Sequence, residues 1–257
     1  MFETILYEVK QSVAYISLNR PDTLNAFTAQ MNREIGTAVK QASSDDAVRC
    51  IVLRGEGRAF CSGQDLSAIP EDMKLGDILT DYYGPMVKQI HSCEKPIIAA
   101  VKGAAAGAGF SLALAADFRL MAESSFFMNA FIHVGLIPDS GNLYYLKRLV
   151  GDAKALEISV LGERIKPDEA KHLGLANAVY SNDTFEDDVD AFAQKIAQLP
   201  TKVIGLIKRN MKAADYLKLE DFLTYEAQSQ SIAGATKDHQ EGIQAFTEKR
   251  QPQFSGQ

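Results

Sequence analysis

Residues 96–117 read Pro-Ile-Ile-Ala-Ala-Val-Lys-Gly-Ala-Ala-Ala-Gly-Ala-Gly-Phe-Ser-Leu-Ala-Leu-Ala-Ala-Asp, and their order decides the fold. An apolar, β-branched run over 96–101 predicts a buried strand. A loop of small residues follows, with glycine at 103, 107 and 109. The residues after it, 110–116, are apolar on every face and predict a buried helix. Lys102 and the three glycines break the stretch too often for a membrane span, so it reads as core. Small residues that open a helix let a ligand approach backbone N–H groups at the positive end of the helix dipole. A dinucleotide-binding turn would need a third small residue, where Leu112 stands, and the domain does not begin here.

Working outward, the same alternation recurs. Residues 5–9 and 13–18 are β-branched and aromatic runs around Lys10-Gln11-Ser12, a predicted hairpin. Met31, Ile35, Val39 and Ala42 fall at helical spacing within 28–42. A strand over 50–53, a turn at Gly55-Glu56-Gly57 and a helix over 78–93 lead into the central stretch. Beyond it come strands over 118–121 and 126–129 and a helix over about 139–150. Residues 167–173 predict a short helix: Pro167 early, Asp168 and Glu169 in the first turn, Lys171 and His172 in the last, and Gly174 as a left-handed cap. From about 184 onward the pattern is helical. The expected architecture is α/β, with a core over 1–180 and an appended helical segment over 181–257.

Composition narrows the function. The chain has 257 residues, 46% hydrophobic and 23% charged, which is ordinary for a folded soluble protein. A net charge of -6 disfavours nucleic acid or an anionic membrane as the main partner. Cys50, Cys61 and Cys93 form neither a C-x-x-C pair nor a disulfide framework. His91, His133, His172 and His239 lack helical-spacing partners, so no metal is expected. The N-terminus carries no basic, then apolar, leader, and a cytoplasmic location is the expectation.

A second loop, Arg58-Ala59-Phe60-Cys61-Ser62-Gly63-Gln64-Asp65-Leu66, changes the weight of the first. Taken with Leu18-Asn19-Arg20-Pro21, Leu24-Asn25-Ala26, the 167–174 helix and Glu241-Gly242 through Ala245-Phe246-Thr247-Glu248-Lys249-Arg250, it resembles the enoyl-CoA hydratase/isomerase (crotonase) family over about residues 5–254. The resemblance implies a spiral of repeated ββα units and a C-terminal trimerisation segment. It implies an acyl-CoA thioester ligand, no cofactor beyond the coenzyme A of the substrate, no metal, and a homotrimer or hexamer. It also implies an oxyanion hole made by the backbone N–H groups of Gln64 and Ala108. One such donor is worth about 2.7–4 kcal/mol when charge develops on a carbonyl oxygen. Residues expected along the substrate and CoA path are Asn25, Ala26, Ala59, Cys61, Gly63, Asp65, Gly109 and Phe131, with Lys249 or Arg250 toward a phosphate.

The chain departs from the hydratases of that family. Their two water-holding glutamates correspond to Ser111 and Phe131, neither of which can act as a carboxylate base. Asp139, in Gly135-Leu136-Ile137-Pro138-Asp139, remains. On local grounds it is an N-cap for the following helix. The segment also resembles the ring-1,2-epoxyphenylacetyl-CoA and dienoyl-CoA isomerases, in which an aspartate here is the acid/base. Phe131, Ile132, Leu136 and Ile137 around it predict a raised pKa by desolvation. The expectation is an acyl-CoA isomerase; the alternatives are an enoyl-CoA hydratase and a non-catalytic CoA-thioester binder. Relatives that displace groups on aryl-CoA rings carry a Trp ahead of their aspartate, and this chain has none. His133, Cys61 and the Tyr144-Tyr145 pair read as packing residues, and Asp65 as a loop-fixing one.

Overall fold

The computed structural model describes residues 2–68 and 74–257. Strands β1 (Ile5–Lys10) and β2 (Val13–Leu18) form the expected antiparallel hairpin. Gln11 and Ser12 have φ of 46° and 66°, the left-handed pair that a two-residue hairpin turn needs to match strand twist. Helix α1 (Ala29–Ser44) begins at Thr28, whose Oγ1 accepts the Met31 N–H at 3.2 Å. Then come β3 (Cys50–Gly55), α2 (Leu75–Ile78), α3 (Gly84–Ser92), β4 (Ile97–Val101), β5 (Ala104–Ala106) and α4 (Ala108–Ala115). They are followed by β6 (Phe118–Ala122), β7 (Phe126–Met128), α5 (Asn142–Leu161), β8 (Arg164–Ile165), α6 (Pro167–His172) and β9 (Ala178–Tyr180). Helices α7 (Phe185–Ala197), α8 (Thr201–Ala214), α9 (Leu219–Gly234) and α10 (Lys237–Glu248) complete the chain.

The large sheet runs β1-β2-β3-β4-β6-β9, parallel from β2 onward, and a small sheet runs β5-β7-β8. From β4 to β7 the chain lays strands in the two sheets by turns; β8 and β9 add one more to each. This is the expected spiral. One face of the large sheet packs on α1, α3 and α4 through a core that includes Phe27, Phe60 and Phe110. The other face, with Tyr15, Val52, Ile98 and Leu120, is closed by Phe185, Val189 and Ala193 of α7. The sheet's apolar cover therefore continues to Ala197, beyond the expected division at 180, because without α7 that face would be open to water. Among the described residues no helix is long and apolar enough to cross a membrane.

Several expected elements differ. The small-residue loop contains a strand, since Ala104–Ala106 pairs in parallel with β7. The expected 78–93 helix is α2, a π-helical turn over Leu79–Tyr83, and then α3. The expected 139–150 helix starts at Asn142 and continues past Gly151, at φ 76° and ψ 169°, as two helical pieces joined by a kink. The α6 reading holds: Gly174 has φ 76°.

The central glycines are explained by packing. A Cβ on Gly109 would overlap the Cys61 carbonyl oxygen, and one on Gly103 the Arg58 carbonyl oxygen. The two loops lie directly on one another, joined by Cys61 N–H to Ala104 O and Ala106 N–H to Cys61 O, both 2.9 Å. Motifs 40 residues apart are thus one structure, and the site sits where they cross.

Candidate active site

The loop after β3 is held by Phe27. The Phe27 N–H donates to Gly63 O at 2.8 Å, and the Asp65 N–H donates to Phe27 O at 3.0 Å. Both residues flanking Gln64 face Phe27, so in this extended pairing the Gln64 N–H points the other way. Ala108 is the first residue of α4, where N–H groups have no intrahelical partner. Gly63, at φ 105°, backs onto the Ala106–Ala108 backbone, and Gly107 takes φ 52° and ψ -124° opposite it. Only glycine holds such positions cheaply. Gln64 and Ala108 both line one cavity, and neither of their backbone N–H groups has a partner among the described residues.

That cavity is about 290 Å³, and Gln64, Ala108, Tyr83, Phe131, Leu136 and Asp139 are among its walls. Its lining is predominantly apolar. Among the described residues Asp139 is its carboxylate, and its Oδ1 accepts the Ser140 hydroxyl at 2.8 Å. Burial pushes the Asp139 carboxyl above its ordinary 3.8, opposed by the Ser140 bond. Of the apolar neighbours read from the sequence, Phe131, Leu136 and Ile137 line the cavity with Asp139, whereas Ile132 does not; the shift has the expected direction.

Asp139 does not cap α5. Gly141 occupies the N-cap, and the Asp139 contribution is its backbone oxygen, which accepts the Asn142 N–H at 2.9 Å. Ser140 and Gly141, at φ 55° and 79°, turn the chain between Asp139 and the helix. A buried polar chain holds the turn. Ser111 Oγ donates to Asp139 O at 3.0 Å and accepts Asn142 Nδ2 at 3.2 Å; Asn129 Nδ2 donates to Asn142 Oδ1 at 3.1 Å. Ser111, expected to mark a missing glutamate, is fully buried and braces the aspartate instead. Phe131 does line the cavity.

Other expected residues stand behind the loop rather than on this cavity. Asn25 is fully buried at φ 56°; its Oδ1 accepts Arg20 N–H, and its Nδ2 donates to Glu56 O and Ala59 O. It is a pillar of the loop, as a buried amide with every bond used must be. Ala26 and Ala59 are buried beside it. Burial pushes the Cys61 thiol up to about 12, so it is an inert core residue. Gly109 faces Cys61. Asp65 pairs with Arg20 at 2.9 Å and accepts the Ser67 N–H and hydroxyl, which hold its carboxyl below the usual range. Lys249 is an exposed residue at the end of α10, and Arg250 is engaged by Glu241 and Glu248, each at 2.6 Å. His133 bonds Gly162 O at 3.0 Å, and Tyr145 meets His91. The sequence reading missed Tyr83, Ile78 and Leu79 of the cavity wall. No single period marks them, because Ile78 ends the one-turn helix α2 and Leu79 and Tyr83 lie on the π-helical turn that follows.

Residues 8–257 match a family model described as enoyl-CoA hydratase/isomerase. The chain is 38% identical over 261 residues to the 1,2-epoxyphenylacetyl-CoA isomerase of Escherichia coli K12, covering all of both chains. It is 41% identical over 256 residues to a Rhodobacter capsulatus protein named "Probable enoyl-CoA hydratase", covering 99% of each. It superposes with a TM-score of 0.92 on an enoyl-CoA hydratase from Bacillus anthracis, 31% identical, covering 99% of this chain and 100% of that one.

Proposed function

The chain belongs to the enoyl-CoA hydratase/isomerase family, and from that premise we propose that it is an acyl-CoA thioester isomerase whose acid/base is Asp139. The observation that carries this reading is that, among the described residues, one desolvated carboxylate shares an apolar cavity with two backbone donors that have no partner. The thioester carbonyl sits between the amides of Gln64 and Ala108. Asp139 takes a proton from the acyl chain, the charge moves onto the carbonyl oxygen, and the donors stabilise the enolate. The proton then returns to another carbon, so no second acid is required. The net result moves a double bond, or lets a ring epoxide open into an expanded ring. The reaction uses no cofactor besides the coenzyme A of its substrate. Hydration is disfavoured because Ser111 is spent on the backbone of Asp139 and Phe131 cannot hold water.

The acyl group we favour is 2-(1,2-epoxy-1,2-dihydrophenyl)acetyl, which the likeness to the Escherichia coli isomerase supports. Side-by-side assays of that thioester, a straight-chain dienoyl thioester and a short enoyl thioester test the reading. Isomerisation of one of the first two as the main activity is expected. Hydration of the enoyl thioester as the main activity rejects it, and binding without any turnover favours a non-catalytic binder.

The reading includes a homotrimer or hexamer built through the C-terminal helices. Met211, Tyr216, Leu219 and Phe246 of that segment are 67–88% exposed in the single chain, apolar surface that invites a partner. Lys249 does not line the cavity of its own chain, and an adjacent subunit is its route to a CoA phosphate. Sedimentation at micromolar concentration should give three or six copies; a stable monomer overturns the assembly. Three unpaired, buried cysteines suit a cytoplasmic setting.

A further inference from the structure

Tyr83 is a buried polar group of the cavity wall that the scheme above leaves unused. It is 2% exposed, and its ring meets Phe27 edge-on at 5.5 Å. Its hydroxyl donates to Gln64 Oε1 at 2.5 Å. Gln64 Nε2 in turn donates to Phe27 O at 3.2 Å and to Asp65 O at 3.1 Å. The Gln64 side chain is therefore tied at one end to Tyr83 and at the other to the backbone that carries its own peptide. We propose that Tyr83 is a positioning residue for the oxyanion hole: through the side chain of Gln64 its hydroxyl fixes the direction of the Gln64 N–H. The inference rests on the oxyanion reading of Gln64 and goes beyond it.

Three observations support it. Among the described residues the Tyr83 hydroxyl is the partner of Gln64 Oε1, at 2.5 Å, so it holds the oxygen end of that amide. The π-helical turn over Leu79–Tyr83 inserts one residue into the helical register, and such insertions frequently serve a site. It directs Tyr83 to the cavity while Tyr82 lies against Arg33, 5.4 Å from ring centre to guanidinium. Burial also keeps the Tyr83 hydroxyl protonated, hence a donor, across the ordinary pH range. The need is physical. A donor aimed at developing charge works only if held within about 0.5 Å of its productive position. Backbone pairing with Phe27 sets the loop's register, and the side-chain tie removes its remaining rotation.

The test separates this inference from the reading beneath it. Acetoacetyl-CoA is the probe, because its enolate absorbs in the ultraviolet and its bound apparent pKa reports oxyanion stabilisation directly. In the unaltered protein that pKa should lie below its value in water; equality with water would overturn the oxyanion hole itself. Tyr83→Phe keeps the ring and removes only the hydroxyl. It should raise the bound enolate's pKa by about 1, with turnover falling about fivefold to tenfold, the size of one lost hydrogen bond. KM and thermal midpoint should stay near their original values. Gln64→Met, which keeps the peptide N–H and removes the tie, should do the same, and the double variant should be no worse than either single one. A normal enolate pKa in Tyr83→Phe, or additive losses in the double variant, overturns the positioning role.

Discussion

Asp139→Asn should lower isomerase turnover by about 10²–10⁴-fold, the ordinary size of a general acid/base contribution. Asparagine keeps the side-chain shape and an oxygen for the Ser140 hydroxyl, but it cannot take a proton. The backbone oxygen bonded by Ser111 and Asn142 is untouched, so the turn at 139–141 should persist. Substrate-analogue affinity should barely change, because both oxyanion donors remain. The pH profile adds an independent reading. Asp139 must be ionised to act as base, so the rate should climb with pH through an apparent pKa above 3.8, and that limb should vanish in the variant. Stability runs the other way. A carboxyl whose pKa is raised by folding binds its proton more tightly folded than unfolded, so its contribution weakens as pH rises from 3.8 through the raised value. At pH 7 the buried carboxylate opposes folding, and Asp139→Asn should melt at the same temperature or higher. At pH 3, where both states hold the proton, that difference should disappear. Near-normal turnover in Asp139→Asn would reject the catalytic role.

Ala108→Pro should cost about 10²–10³ in kcat, the effect of deleting one oxyanion donor. Proline has no N–H, yet the first helical position is where a helix accepts it best, since that N–H is unsatisfied within the helix. Gly107 ahead of it, already at φ 52°, carries no side chain to collide with the ring. The fold should therefore survive while the carbonyl loses half of its electrostatic support. Turnover together with the thermal midpoint separates the two effects. Unchanged turnover would show that the Ala108 amide does not face the developing charge, and a collapsed midpoint would show that α4 cannot accept the ring.

Particular residues show how far the chain could be read in advance. The β1–β2 hairpin, α1, β4 and α6 were legible because their signals are local: period, cap and turn chemistry involve neighbours within a few positions. The place of Asp139 on a largely apolar cavity was legible too, through the apolar residues adjoining it in the sequence. The strands at Arg164–Ile165 and Ala178–Tyr180 were not, because two or three residues carry no period. The N-cap reading of Asp139 failed because Ser140 and Gly141 both turn left-handed, which moves the helix start to Asn142. Asn25 and Gly109 looked like ligand residues. Their partners, the carbonyls of Ala59 and Cys61, come from a loop some 30 to 50 positions away.

The sequence by itself determined the order of elements, the buried character of α4, and the presence of serine at 111, phenylalanine at 131 and aspartate at 139. Those are properties of residue type and near spacing, which the chain carries whether folded or not. Only the tertiary structure decided that the two glycine loops stack at Gly63 and Gly107, that Gln64 turns its N–H away from Phe27, and that Tyr83 reaches Gln64. Only it decided, too, that Ser111 props up Asp139. The direction of a backbone N–H and the desolvation of a carboxylate depend on which distant segments pack against them, and no local pattern encodes that.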